Sequence, residues 1–464
     1  MLTRQTHYFK FIFLSHGDIF MNFTGHFSGK KSVLRRHFIS VVLVVFSSSA
    51  LAAAHIEQWQ TTKGSRVYFV QTDSLPMVDI QVVFDAGSAR DGAQFGLSAL
   101  TTGMFDTGAG DWNAEDIAQR FESVGANFGA ASSIDMASAT LRTLTDKPLF
   151  DKAIDTMRVI LSKPRFAEND FQREKNRTLA GLKQREESPG ELANMTFYKA
   201  IYGEHPYGHP NAGVLNTVEK FTADDSRNFY KTYFTASNAM VVIVGNLSKT
   251  EAEKTANLLV SDLPQGSKPA PLPDVPALTK ATTQHLEFPS TQTHVLVGLT
   301  GTYRKDPDYF TLYVGNHILG GGSLVSKLFD EVREKRGLAY SASSAFMPLL
   351  KEGIFVASLQ TRNDQTAQAL AVLNQTLADF VKNGVTETEL TAAKANIVGG
   401  FAMKFDTNKE LVNYVSMIGF YQMPLDYLDT FQQNIQNVTA AQIGEAFKRR
   451  VDLTHLQTVT VGKK

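Results

Sequence analysis

The sequence contains no cysteine, which excludes a disulfide framework, a thiolate metal site and a cysteine nucleophile. An excess of one charge is also missing: 46 Lys and Arg balance 46 Asp and Glu. No long basic run lies outside the N-terminal region, so nucleic acid is a poor candidate partner. Histidine is sparse, and only His205 and His209 lie close together, in Glu204-His-Pro-Tyr-Gly-His-Pro210. Their i, i+4 spacing suits one helix face, but Pro206 and Gly208 between them disfavour a helix, and His-Pro steps are common turn chemistry. His285, His294 and His317 stand alone, as structural or solvated histidines do. A catalytic metal has few places to sit.

One short apolar run stands out, Phe38-Ile-Ser-Val-Val-Leu-Val-Val-Phe46, behind Lys30, Lys31, Arg35 and Arg36. Small residues follow, ending in the A-x-A signal Ala50-Leu-Ala52. This is the layout of a bacterial secretory signal, with an apolar core too short for a comfortable membrane span. Residues 1–54 therefore read as an N-terminal extension and signal, cleaved near Ala52 to release a periplasmic protein with no stable span. An uncleaved anchor is the alternative. The stretch before Met21 has no signal grammar, so Met21 competes with Met1 as the start. The absence of cysteine is compatible with an oxidising compartment.

About 410 residues remain, enough for two domains of roughly 200 each. Proline density in Pro264-Gln-Gly-Ser-Lys-Pro-Ala-Pro-Leu-Pro-Asp-Val-Pro276 marks a linker, taken as 263–284, between a domain at 55–262 and a domain at 285–464. In the first, period and punctuation predict strands at 66–71, 78–85, 137–144 and 239–245, with helices near 96–105, 114–124, 148–161, 168–185 and 249–259. The second repeats the scheme, with strands at 294–300 and 353–359 and helices at 309–318 and 365–381. Phe171, Lys175 and Gly181 have the same offsets as Leu390, Lys394 and Gly400, and Val242-Ile-Val-Gly245 is similar to Val459-Thr-Val-Gly462. Both observations suggest duplication.

The densest signal is Leu319-Gly-Gly-Gly-Ser323, followed by Leu-Val-Ser-Lys-Leu-Phe-Asp-Glu-Val-Arg-Glu-Lys-Arg and closed by Gly337-Leu-Ala-Tyr340. It predicts a flexible glycine turn, a short amphipathic helix and an exit into a strand. Leu324, Val325, Leu328, Phe329 and Val332 form the apolar face, Ser323 the N-cap and Gly337 the C′ residue. Arg333 and Tyr340 flank the helix exit and could offer a cation and a phenol to a polarised carbonyl. The residues alone also allow a bland reading: the macrodipole favours arginine in a last turn, and tyrosine commonly starts a strand. Gly320, Gly321 and Gly322 lack the G-x-x-x-x-G-K-[ST] phosphate pattern, so a mobile lip is preferred over a nucleotide site.

This run resembles the C-terminal-half signature of the pitrilysin/insulinase family of zinc peptidases, in the branch that includes mitochondrial processing peptidase. The resemblance implies an α+β fold of two similar clam-shell halves, each a mostly antiparallel sheet with helices packed on it. It also implies that Arg333 and Tyr340 reach a substrate held at zinc, and that the glycine loop lines the gap between partner halves. The zinc half departs from the pattern. Where the family has H-x-x-E-H in a context like G-L-A-H-x-L-E-H-M, this chain reads Gly96-Leu-Ser-Ala-Leu-Thr-Thr-Gly-Met104. Ligand and base positions fall on Ala99, Thr102 and Gly103. The later ligand, in a pattern like F-x-x-E-R-x-x-x-x-x-E, falls on Gly181 of Phe171-Gln-Arg-Glu174-Lys-Asn-Arg-Thr-Leu-Ala-Gly181. None of these can ligate zinc, which needs about three His, Glu, Asp or Cys donors.

The expectation is a catalytically silent subunit that binds no metal or other cofactor. A zinc-bearing homologous partner would carry the metal, and a peptide or unfolded segment would be the substrate. A non-enzymatic peptide-binding or scaffolding protein of the same fold is the alternative, and an active peptidase with a relocated metal is a third reading.

Overall fold

Strong β formers at Val67–Val70, Val78–Phe84 and Ala239–Val244 place one continuous sheet at the centre of the first half. The computed structural model describes residues 55–464, so the signal expected at 1–54 lies outside the described residues. The sheet strands of this half are β1 (Glu57–Gln60), β2 (Arg66–Gln71), β3 (Met77–Phe84), β6 (Asn127–Ser132), β7 (Ala137–Leu144) and β8 (Ala239–Gly245), with a small hairpin of β4 (Gly108–Ala109) and β5 (Trp112–Asn113) beside them. Its helices are α1 (Leu97–Gly103), α2 (Ala114–Glu122), α3 (Lys147–Ser162), α4 (Glu168–Glu186), α5 (Pro189–Tyr202), α6 (Leu215–Val218), α7 (Ala223–Tyr233) and α8 (Lys249–Val260). The second half holds β9 (Thr282–Glu287), β10 (Gln292–Thr300), β11 (Ala339–Met347), β12 (Ile354–Arg362) and β13 (Gln457–Gly462). Its helices are α9 (Tyr309–Asn316), α10 (Lys327–Phe329), α11 (Thr366–Asn383), α12 (Glu387–Phe401), α13 (Asn408–Phe420), α14 (Tyr427–Asn437) and α15 (Ala440–Arg450).

The expected α+β class with two similar halves is what the chain adopts. The first sheet runs β1-β2-β8-β3-β7-β6 and the second β11-β12-β10-β13-β9. Reading the second backwards, β9, β13, β10, β12 and β11 match β2, β8, β3, β7 and β6 in order. In each sheet one pair is parallel, β2 with β8 and β9 with β13, and the others are antiparallel. The matched lysines on α4 and α12 also behave alike. Lys175 Nζ donates to Phe221 O at 2.9 Å, and Lys394 Nζ donates to Gln436 O at 2.7 Å.

The halves exchange a helix. α13 covers the far face of the first sheet, burying Leu411, Val412, Val415 and Ile418 against Tyr68, Val70, Met240, Val242 and Val244. In return α5 lies on the second sheet, with Ala193, Phe197 and Ile201 against Leu296, Val459 and Val461. This explains why β8 is apolar at every position: Val241 and Ile243 face their own half, and Met240, Val242 and Val244 face α13. Each such aliphatic side chain, fully buried, contributes about 1.5–3 kcal/mol. Close approach depends on Gly419, where a Cβ would lie 2.7 Å from both Met240 Sδ and Tyr68 Cε2.

The proline-rich segment does not hang free. Leu272 is buried, Arg90 Nη1 donates to Ala270 O at 2.7 Å, and Lys351 pairs with Asp274 at 2.5 Å. β9 starts at Thr282, inside the range read as linker, because pairing with β13 decides that boundary and composition does not.

Candidate functional site

The glycine-rich stretch is more ordered than a flexible turn. α9 continues into a π turn, His317–Gly321, so Gly320 and Gly321 belong to its end. None of the three glycines has a positive φ; they are needed for space. A Cβ on Gly320 would lie 2.4 Å from Ser344 N, on Gly321 2.7 Å from Asn316 Nδ2, and on Gly322 2.6 Å from His317 O. The left-handed residue is Ser323, φ 57°, so it cannot be the N-cap. That role falls to Ser326, in extended backbone, whose hydroxyl accepts from Phe329 N at 3.4 Å. Leu324 and Val325 correspondingly lie before the helix and are 65% and 76% exposed, whereas Leu328, Phe329 and Val332 are buried as expected. Sequence periodicity placed the helix start one turn early because Ser323 and Ser326 are chemically equivalent caps.

α10 runs into a second π turn, Asp330–Glu334, and ends at Gly337, φ 61°. Gly337 N donates to Arg333 O at 2.8 Å and Leu338 N to Val332 O at 2.9 Å, closing the helix as a glycine C′ residue does. The chain then enters β11, whose register against β12 shifts between Ala339 and Ala342. Tyr340 and Ser341 occupy that irregularity, and bulges of this kind re-aim side chains.

The structure brings Arg333 and Tyr340 together. The guanidinium carbon lies 4.6 Å from the Tyr340 ring centroid and 4.8 Å from that of Phe329. Two rings thus fix the arginine plane by cation–π contact, worth about 0.5–2 kcal/mol each. The Arg333 guanidinium forms no hydrogen bond among the described residues; its ion-pair contact is a loose 3.8 Å to Glu334. Its neighbours are committed elsewhere: Lys335 to Asp330 at 2.8 Å and Glu331 at 2.6 Å, and Arg336 to Glu331 at 2.6 Å. Tyr340 is 81% exposed, and its hydroxyl has no protein partner among the described residues. A held cation and a free phenol can donate together to one oxygen.

The emptied zinc positions have a different character. Ala99, Thr102 and Gly103 share one face of α1, and α4, carrying Gly181, packs against that helix. At both Gly103 and Gly181 a Cβ would meet nothing within 4 Å. Room exists; donors do not. The residues present do not fit zinc, and among the described residues no group of three or more His, Asp or Glu is gathered to hold a metal. α1 itself is started by Asp91, whose carboxylate accepts from Gly96 N at 2.7 Å and Ser98 N at 2.8 Å. Burial pushes the Asp91 carboxyl up to about 8, against the pull of those two amides. On α4, Glu174 is buried beside Arg177 at 2.5 Å; burial raises its carboxyl, and Arg177 and Arg173 pull it back.

The paired histidines are structural. His205 Nδ1 accepts from Tyr207 N at 3.1 Å, so its Nε2 carries the proton and donates to Pro273 O at 3.1 Å. His209 stacks on Phe95 with centroids 4.2 Å apart. Sequence reading passed over Tyr207 and Tyr421, whose phenols meet the buried Asp135. No local pattern marks such a contact, since its members are far apart in the chain.

Similarity to known proteins follows the same division into halves. Residues 66–213 match the insulinase (peptidase family M16) model, and residues 220–397 match the peptidase M16 inactive domain. A crystal structure described as a peptidase M16 inactive domain from Pseudomonas fluorescens superposes with a TM-score of 0.85, at 35% identity, covering 88% of this chain and 98% of that one. A Helicobacter pylori protein described as a non-peptidase homolog is 26% identical over 93% of this chain and 99% of its own. A Bacillus subtilis protein described as an uncharacterized zinc protease is 26% identical over 77% of this chain and 86% of its own. Repeated sheets, matched halves and this likeness along the chain lead to one assignment: the protein belongs to the M16, or insulinase, family of peptidases.

Proposed function

We propose that this chain is a non-catalytic subunit of a heterodimeric zinc peptidase of the mitochondrial-processing-peptidase-like branch, exported to the periplasm. The observation that carries this reading is the Arg333–Tyr340 pair. Its guanidinium is held between two rings and its phenol stands free of protein hydrogen bonds among the described residues, in a chain whose first half has no metal donors at Ala99, Thr102, Gly103 or Gly181. A scaffold has no use for such a clamp. A zinc-bearing homologous partner supplies the metal and the attacking water. This chain closes over an extended peptide and donates from the Arg333 guanidinium and the Tyr340 hydroxyl to the carbonyl oxygen as it gains negative charge. Gly320, Gly321 and Gly322 line the entry to the space between the subunits.

The name of the Helicobacter pylori relative supports a chain that does not cleave peptides by itself. No described helix is long and apolar enough to cross a membrane, and the export reading rests on the leader sequence. The test is purification from native periplasm. The expected result is a mature chain beginning close to Ala53, free of stoichiometric zinc, inactive alone and co-eluting with an H-x-x-E-H homologue. A lone chain that retains about one zinc through dialysis, or that cleaves peptide unaided, would end this reading.

A further inference from the structure

The duplication gives the emptied cleft of the first half a counterpart in the second. Gly87 and Gly301 stand just beyond the matched strands β3 and β10 and make the same contact. Gly87 N donates to Asp135 O at 3.3 Å and Gly301 N to Gly353 O at 2.7 Å, in the loops that lead into β7 and β12. Counted from these two glycines, Ala99 and Gly103 fall opposite Tyr313 and His317. Gly400 answers to Gly181, and α12 packs on α9 as α4 packs on α1. A phenol and an imidazole thus stand where the first cleft has small side chains.

A cation joins them. Lys404, just past α12, donates from Nζ to Tyr313 Oη at 2.9 Å and stands 5.6 Å from that ring's centroid. Tyr309 stacks on Tyr313 at 6.2 Å, and Tyr414 of α13 meets Phe405, the residue after Lys404, at 6.0 Å. Burial raises the Tyr414 phenol, and the charges of Lys404 and Arg304 pull it back, so both cations are felt at this one hydroxyl. Neither cation makes an ion pair among the described residues, and the Tyr414 hydroxyl has no hydrogen-bond partner among them. Burial and the Lys404 charge both lower the His317 ring, which stays neutral beside Gly322, where a Cβ would lie 3.2 Å from its Nε2. Positive charge and O–H donors thus collect next to the glycine run, with no carboxylate paired to them among the described residues.

We infer that this second-half cleft is a subsite for a carboxylate of the bound peptide. The inference deepens the proposed function and rests on its peptide-binding part. One carboxylate oxygen takes the Lys404 ammonium and the Tyr414 proton. Tyr313, whose oxygen accepts from Lys404, has its own proton to donate to the other. Charge-assisted bonds of this kind are about twice as strong as neutral ones. A phosphate dianion calls for a bidentate arginine or several cations, whereas one ammonium at the surface balances a single negative charge. The C-terminal carboxylate of a peptide and an Asp or Glu side chain share this chemistry.

The test uses the isolated chain and an N-terminally dansylated peptide of Ser and Val, read by fluorescence anisotropy. The peptide is made as the C-terminal acid, as the C-terminal amide, and as the amide with one internal Glu. A carboxylate form should bind roughly fivefold more tightly than the plain amide, as expected for one partly exposed ion pair, and the form that does so names the carboxylate. Lys404→Gln should abolish the preference, Lys404→Arg should keep it, and Tyr414→Phe should weaken it. Lys404 is exposed and Tyr414→Phe removes only a hydroxyl, so the variants should fold. A preference that survives Lys404→Gln, or displacement of the peptide by inorganic phosphate but not by acetate at equal ionic strength, would overturn the subsite. Equal binding of the three forms would overturn it while leaving the peptide-binding reading intact, whereas no binding of any form would remove both.

Discussion

Tyr421, just beyond α13, donates its phenol proton to Asp135 Oδ2 at 2.9 Å, across a sequence separation of 286 residues. Tyr207, beyond α5, donates to the other oxygen at 2.7 Å, and Leu350 N adds a third bond at 2.8 Å. Asp135 sits in the β6–β7 loop and Leu350 in the matching β11–β12 loop. Equivalent loops and the ends of both exchanged helices therefore converge on one buried carboxylate, locking the halves together. Removing the Tyr207 phenol leaves Asp135 Oδ1 without a donor, so Tyr207→Phe should destabilise the chain by about 1–3 kcal/mol in urea unfolding. An unchanged midpoint would show that the contact adds nothing.

Arg333→Ala or Tyr340→Phe should lower turnover by the assembled complex on the order of 10²-fold at saturating peptide while leaving assembly intact. Arg336→Ala is the control. Its guanidinium is engaged by Glu331, at a surface where one ion pair contributes about 0–1 kcal/mol. Wild-type turnover from both clamp variants would leave the scaffolding reading standing.

Two glycines should respond in opposite directions. Gly419→Ala forces a methyl group into Met240 and Tyr68 and should cost about 1–3 kcal/mol. Gly181→Ala faces open space in the interior of α4 and should stabilise by about 1 kcal/mol through helix propensity. Thermal unfolding of the two variants gives the comparison, and equal shifts would refute it.

The room at the emptied positions makes a restoration experiment possible. Ala99→His, Gly103→His and Gly181→Glu together should bind about one zinc per chain, because a tetrahedral site with three protein donors needs no more. Metal analysis after dialysis decides the outcome. A metal-free triple variant would mean that α1 and α4 do not hold the geometry their sequence pattern implies.

Asp91 should make stability depend on pH. Its carboxyl rises from the usual carboxylate range to about 8 on folding, so between about 4 and 8 the folded state binds more protons than the unfolded state. Stability from this group is fully present below the unfolded value and is lost as pH rises toward 8. Relative to Asp91→Asn, which does not titrate there, the wild-type urea midpoint should fall between pH 5 and pH 8. A parallel course for both proteins would place the ionised carboxylate at no disadvantage.

The sequence by itself determined which segments become strands and helices in much of both halves, because period, caps and glycine stops are local: β8, α3, α4 and α11 fall within a few residues of their expected ranges. It also placed Arg333 and Tyr340 at either end of a glycine-stopped helix exit, and it showed that Ala99, Thr102, Gly103 and Gly181 lack metal donors. Only the tertiary structure decided that Arg333 lies on the Tyr340 ring, since a register shift in β11 aims the phenol and no spacing rule reports it. Likewise Ser323 and Ser326 are equal candidates as caps until the packing of Gly320 on Ser344 fixes the turn before them. The exchange of α5 and α13 and the Asp135 contact are long-range. Each needs partners from both halves, and sequence periodicity describes one element at a time.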